Sequence, residues 1–194
     1  MDITTRIVGV DEAGRGAWAG PVYAAAVILD PLASITGLAD SKLLSPKQRD
    51  SLFDNITSKA LAYGIASASV EEIDHMNILQ ASLLAMKRAV AMLTLPFQEV
   101  WVDGNQSPDW THKTRCIIDG DNLVDAISAA SILAKVSRDR VMQAFDETLP
   151  YGFASHKGYG TALHQQRLQQ YGVSAIHRRS FKPIKVRLEE EAHA

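Results

Sequence analysis

The run Ile7-Val8-Gly9-Val10-Asp11-Glu12-Ala13-Gly14-Arg15-Gly16 constrains this chain more than any other stretch. A short apolar run with β-branched residues reads as a buried strand. It ends in two adjacent carboxylates, which repel each other unless a cation or a basic group sits with them. Hard divalent ions such as Mg²⁺ take carboxylate oxygens. The Gly-Arg-Gly turn behind the acids lets backbone come close to something bulky. Together these features point to metal-assisted chemistry on a phosphate-bearing substrate. Adjacent strand residues point to opposite faces. Asp11 and Glu12 therefore share one site only if the strand breaks at Glu12, or if Glu12 also contributes its backbone carbonyl.

The chain has 194 residues, 46% hydrophobic and 22% charged, which suits one domain with an ordinary core. A formal net charge of −2 carries no global sign of nucleic-acid affinity, so local clustering has to carry that argument. The single cysteine, Cys116, cannot form an internal disulfide and fits a reducing cytosol. The first ten residues lack a signal-peptide pattern, and the longest apolar run, residues 22–29, is too short to span a bilayer. A monomeric cytoplasmic protein with no membrane association is expected. Residues 1–188 are expected as a single domain, and the acidic residues 189–194 as a disordered tail.

Strands are expected at residues 7–10, 22–29, 63–67, 99–104 and 115–118. The first two are close enough in sequence to pair antiparallel, since a parallel crossover needs a dozen or more residues. Ser45-Pro46-Lys47-Gln48 and Ser69-Val70-Glu71-Glu72 are capping boxes. Asn77 caps a longer helix with Leu79, Leu83, Met86, Val90 and Leu93 on its apolar face. Asp125 caps another, and a helix over residues 161–171 ends at Gly172. Strands and helices mix throughout, so the class is α/β with a central mixed β-sheet flanked by helices and a helical C-terminal extension.

Asp103 stands at the end of the fourth strand, followed by Gly104, and Asp121 stands in the loop after the fifth. Strand ends are where ligands collect in open α/β sheets. If strands one and four are neighbours, Asp11 and Asp103 come within reach of one ion. The spacing Gly14-x-Gly16-x-x-Ala19 also matches a dinucleotide-binding fingerprint, but that motif must open a helix. Here Gly20-Pro21 and a β-branched run follow, and two upstream acids would repel a pyrophosphate, so that reading is rejected. No His or Cys cluster has zinc spacing.

Five ordered blocks carry a resemblance. They are Asp11-Glu12-Ala13-Gly14-Arg15-Gly16, Asp40-Ser41-Lys42-Leu43-Leu44-Ser45, Val102-Asp103-Gly104, the stretch Ala129-Ala130-Ser131-Ile132-Leu133-Ala134-Lys135-Val136-Ser137-Arg138-Asp139, and His156-Lys157-Gly158-Tyr159-Gly160-Thr161. The chain resembles bacterial ribonuclease HII, the type 2 ribonuclease H, over nearly its whole length. The resemblance implies an RNase H-like fold and an endonuclease acting on the RNA strand of RNA–DNA hybrids. It also implies incision 5′ of single ribonucleotides in duplex DNA, leaving 3′-hydroxyl and 5′-phosphate ends. It implies two Mn²⁺ or Mg²⁺ ions held by Asp11, Glu12, Asp103 and Asp121. The Gly14-Arg15-Gly16 turn would sense the ribose, Tyr159 would pack on the following sugar, and Lys42 and Arg49 would contact phosphate. Lys135 and Asp139 read as a simple i,i+4 ion pair.

Two departures from the family pattern stand out. The usual Lys-Gly-Asp reads Asp119-Gly120-Asp121, which makes Asp119 a competitor for the fourth ligand position. The usual Gly-Arg-Gly-Pro reads on into Ala17-Trp18, with Trp18 a candidate surface contact. The basic stretch over residues 177–187 reads either as a track for a duplex backbone or as a solvated tail. A non-catalytic hybrid-binding module and an RNase H-fold nuclease with another substrate are the alternative readings.

Overall fold

The computed structural model describes residues 6–38 and 44–193. Strand β1 (Ile7–Ala13) pairs antiparallel with β2 (Val22–Ile28), which pairs antiparallel with β3 (Ala62–Ala68). On its other side β1 pairs in parallel with β4 (Glu99–Asp103), and β4 with β5 (Thr114–Ile117). The order β3-β2-β1-β4-β5 is a mixed sheet with β1 at its centre.

Helices cover both faces because the strands alternate. Along β2, Val22, Ala24, Ala26 and Ile28 join the core formed with α2 (Val70–Ala91), while Ala25 and Val27 join the core formed with α1 (Pro46–Lys59) and α4 (Asp125–Asp146). Helix α4 lies so close to β1 that a Cβ on Gly9 would sit 2.1 Å from the Ala126 carbonyl carbon. That contact fixes α4 against the central strand and aims its middle turns at the strand's C-terminal end.

Both expected capping boxes form, Ser45 with Gln48 and Ser69 with Glu72. Helix α2 is interrupted at Asn77, whose φ is 72°, and the Asn77 side-chain oxygen accepts from the N–H groups of Leu79 and Gln80. It therefore caps the second segment, as its position in the sequence indicates. The buried face of that segment runs through Ala81, Ala85, Met86, Ala89 and Val90. Leu79 and Leu83, expected inside, are only partly buried and line a cleft beside Glu12 and Asp103. Asp125 is the first residue of α4, with Val124 at the N-cap, one position before the expected cap.

After β5 come α3 (Gly120–Leu123), α4, then α5 (Phe153–His156), α6 (Ala162–Tyr171) and α7 (Lys182–Ala192). Ala19, Met142, Tyr151, Phe153, Leu168 and Ile184 form a smaller core that ties the C-terminal helices to the loop after β1. Residues 189–192, expected within a disordered tail, continue α7. Arg187 lies 3.3 Å from Glu190 and 3.1 Å from Glu191, and these one-turn pairs offset repulsion in the acidic run. No described helix is long and apolar enough to cross a membrane.

Candidate active site

Two parallel strands and a short turn bring three acids together. Val10 lies opposite Val102, so Asp11 and Asp103 follow side by side at the ends of β1 and β4. Adjacent strands are about 4.8 Å apart. Beyond β5 the backbone passes through Asp119 in the left-handed region, φ 55°, and enters α3. The Asp121 N–H then donates to Asp103 Oδ1 at 3.3 Å. Asp121 is buried and Asp119 is exposed, so of the two competing acids it is Asp121 that stands with Asp103.

Glu12 approaches from the other face. Strand β1 does not break there, because pairing with β2 continues through Glu12–Ala24 and Ala13–Tyr23. Asp11 therefore faces α4, where Ser131 hydrogen-bonds its carboxylate, and Glu12 faces α2. The Glu12 carboxylate pairs with Arg15 at 3.1 Å and shares its cleft with Asp103, Leu83 and Met86. Asp103 is the common neighbour of both.

The electrostatics record this crowding. Burial pushes the Asp11 carboxyl well above the usual aspartate range, and repulsion from Glu12 and then Asp103 pushes it further. Hydrogen bonds from Ser131 and from the Glu12 N–H work in the opposite direction. Burial also raises Glu12, Arg15 opposes the rise, and Asp103 adds to it. Among the described residues no three His, Cys, Asp or Glu side chains already close around one point. The donor set nevertheless suits a divalent cation. It consists of hard carboxylate oxygens in a desolvated, mutually repelling group, and a cation among them would lower their pKa values and offset the repulsion.

Beside the acids lies a groove of about 380 Å³ lined by Glu12, Gly14, Arg49, Ser131, Lys135 and Tyr159. The turn over residues 14–16 forms one wall. Gly14 has φ 96°, and a Cβ there would lie 2.0 Å from Arg138 Nε, so the position accepts only glycine. Arg15 and Gly16 are exposed, and a Cβ on Gly16 would lie 3.9 Å from the Tyr159 ring. Tyr159 forms the opposite wall. It is 37% exposed, with Arg138 Cζ 5.5 Å and Lys135 Nζ 6.0 Å from its ring centre. Arg49 donates to the Leu44 carbonyl, and Lys135 pairs with Asp139 at 2.7 Å. Lys42 lies outside the described residues.

Several residues around this groove were not singled out from the sequence. Arg138 is fully buried and donates to the carbonyls of Ala19, Pro21 and Lys157 at 2.9–3.0 Å. Its signal is its phase, since it falls on the buried line Ile127, Ala130, Ala134, Arg138, Met142 of α4. His164 shares the buried face of α6 with Leu168. Arg178 and His177 carry no such signal. They belong to the basic stretch expected to track a duplex or to be solvated, yet both are fully buried. For these two residues the expectation is corrected, because their donors are taken up by backbone and side-chain partners inside the protein. Trp18, expected at the surface, is partly buried. Its indole packs against Gly160, where a Cβ would lie 2.1 Å from it.

A larger cavity, about 500 Å³, opens at the opposite end of the sheet between Arg6, Leu29, Leu61, Trp101 and Leu123. Asp125 is its only carboxylate among the described lining residues, so it lacks the acids this chemistry needs.

The family model for ribonuclease HII matches residues 8–184. The chain is 58% identical to ribonuclease HII 1 of Methylibium petroleiphilum over 185 residues, covering 95% of this chain and 93% of that protein. It is 59% identical to ribonuclease HII of Paracidovorax citrulli over 179 residues, covering 92% and 75%. The crystal structure of ribonuclease H2 from Pyrococcus horikoshii superposes with a TM-score of 0.82 at 24% identity, covering 98% of this chain and all of that one.

Proposed function

This chain belongs to the ribonuclease HII family and is a metal-dependent endoribonuclease of the ribonuclease H type, and from that premise we propose that it cuts the RNA strand of RNA–DNA hybrids and incises 5′ of single ribonucleotides in duplex DNA. The products carry 3′-hydroxyl and 5′-phosphate ends. The observation that carries this reading is the proximity of Asp11 to Glu12 and Asp103, and of Asp103 to Asp121, beside a groove walled by a glycine turn and an exposed tyrosine.

Each described residue has a role that its position supports. The four carboxylates would hold two Mg²⁺ or Mn²⁺ ions. Bound there, such ions supply an activated water and neutralise charge developing on the leaving oxygen. Gly14 lines the groove and Arg15 and Gly16 are exposed beside it, and the backbone of this turn reads the 2′-hydroxyl, the group that separates RNA from DNA. Tyr159 stacks on the neighbouring sugar. Arg49 holds a phosphate on the flank, and Lys42, outside the described residues, is assigned the same role from the family resemblance alone. A non-catalytic binding module is disfavoured, because acids facing a phosphate backbone weaken binding. One chain carries every described residue of the site, which supports the monomer as the active unit.

The test is incubation of the protein with duplex DNA containing one ribonucleotide, with Mn²⁺, Mg²⁺ or chelator. Incision on the 5′ side of the ribonucleotide with a 3′-hydroxyl end is expected with metal and none with chelator. Inertness with both ions toward that duplex and toward an RNA–DNA hybrid overturns the reading.

A further inference from the structure

We propose that the dipeptide His177-Arg178 is the positioning element of the ribose-sensing groove, with Arg178 holding one wall and His177 holding the other through His164. This rests on the reading of residues 14–16 and Tyr159 as the walls of that groove.

The first wall is held directly. The fully buried Arg178 guanidinium donates from Nη2 to the Gly14 carbonyl at 2.7 Å, from Nη1 to the Arg15 carbonyl at 2.8 Å, and from Nε to the Gly20 carbonyl at 2.9 Å. A planar fork with three directed bonds fixes the orientation of the peptide units it grips, which an ammonium on a flexible stem does not. The Arg178 N–H also donates to the Trp18 carbonyl at 2.8 Å.

The second wall is held by a directed relay. His164 Nδ1 lies 3.0 Å from the Tyr159 carbonyl, which can only accept, so Nδ1 carries the proton. His164 Nε2 is then an acceptor, and the His177 Nε2–H donates to it at 3.0 Å. His177 Nδ1 is left to accept from the Ser174 N–H at 3.0 Å. Both rings are neutral and each nitrogen has one role. A second proton on either ring would oppose two N–H groups. Burial holds both rings down to about 4, so the relay is intact at neutral pH.

The segment itself is anchored from outside the groove. The Asp74 carboxylate, on the first segment of α2, accepts from the N–H groups of Arg179 and Ser180 at 2.9 Å and from the Ser180 hydroxyl at 2.6 Å. Neither His177 nor Arg178 reaches the groove. Both act through the residues they hold.

The experiment compares wild type, Arg178→Lys, His177→Leu and His177→Gln on duplexes carrying a ribonucleotide, a 2′-fluoro nucleotide or a deoxynucleotide at one position, with Mn²⁺. Folding is checked by circular dichroism and Mn²⁺ binding by calorimetry. For Arg178→Lys and His177→Leu the expected result is a fall in kcat at the ribonucleotide of up to about a hundredfold, the loss typical of a misplaced site. Duplex affinity stays near wild type and the ratio of ribonucleotide to 2′-fluoro cleavage narrows. His177→Gln, which keeps a donor toward His164, restores most of the rate. Folded variants that lose both activities in proportion, or keep the wild-type ratio, overturn the proposal. If Arg178→Lys does not fold, the His177 pair decides. Wild-type protein that fails to discriminate ribose from deoxyribose instead overturns the reading of the groove on which the proposal rests.

Discussion

The Asp121 N–H points at Asp103 Oδ1 from 3.3 Å, while Asp119, two residues earlier, is turned to solvent in a left-handed conformation. This separation predicts different outcomes for two similar substitutions. Asp121→Asn should lower kcat by about a hundredfold or more, the scale for losing a group that stabilises developing charge. Asp119→Asn should stay within a few-fold of wild type. A Mn²⁺ titration of activity for both variants checks the assignment, and equal losses would reject it.

Asp11 is a stability liability when no cation is present. Its carboxyl is buried beside two like charges, so its folded pKa is raised and ionising it costs more than in water. Asp11→Asn keeps the shape and removes the charge. We expect loss of incision together with a gain of about 1 kcal/mol or more in the metal-free protein. Denaturant midpoints in chelator measure the gain, and a lower midpoint than wild type contradicts it.

Gly14→Ala should fail on two grounds. The backbone stands at φ 96° and the new methyl would meet Arg138 Nε at 2.0 Å. A loss of about 2 kcal/mol or more is expected, with incision lost because the turn must move. Thermal unfolding and the single-ribonucleotide assay check both parts.

Tyr159 predicts the opposite balance. Its ring is 37% exposed and its backbone, not its ring, makes the bonds that hold the loop. Tyr159→Ala should change stability by less than about 1 kcal/mol, as surface substitutions do, while reducing incision at a lone ribonucleotide. Unchanged incision would make the ring structural.

The buried imidazoles set a pH dependence of known sign. His164 and His177 titrate near 4 in the folded protein and about 6.5 when unfolded. Between those values the unfolded chain binds more protons, so stability rises with pH through that window and is fully present above it. At pH 5 the loss is on the order of 2 kcal/mol per histidine. Asp11 and Glu12, with raised pKa values, act in the other direction as pH falls. Denaturant midpoints at pH 7, 6 and 5 for wild type and His164→Gln separate the two, since the variant should show a flatter profile.

Much of the scaffold was legible in the chain. The capping boxes at Ser45 and Ser69, the cap at Asn77 and the stop at Gly172 are local events, decided by side chains within four residues of the backbone they satisfy. The antiparallel β1–β2 pair followed from the short connection, whereas the neighbouring of β1 and β4 entered only as a condition for bringing Asp11 to Asp103, and the sheet meets that condition. On the expected apolar face of α2, Met86 and Val90 are buried, and Leu83 and Leu93 pack against the same core while only partly buried. Here small residues, Ala81, Ala85 and Ala89, let the helix sit close to the sheet, and Leu79 and Leu83 line the cleft.

The sequence by itself determined which groups exist for chemistry and where most helices are capped, because these depend on neighbours a few bonds away. Tertiary structure alone decided which way those groups face. It carried β1 unbroken through Glu12, so Asp11 and Glu12 leave on opposite faces and share Asp103 as a common neighbour. It also took Arg178 out of water to grip a carbonyl 164 residues earlier. A buried cation is tolerated only where distant backbone supplies its partners, and no local pattern of residues records that supply.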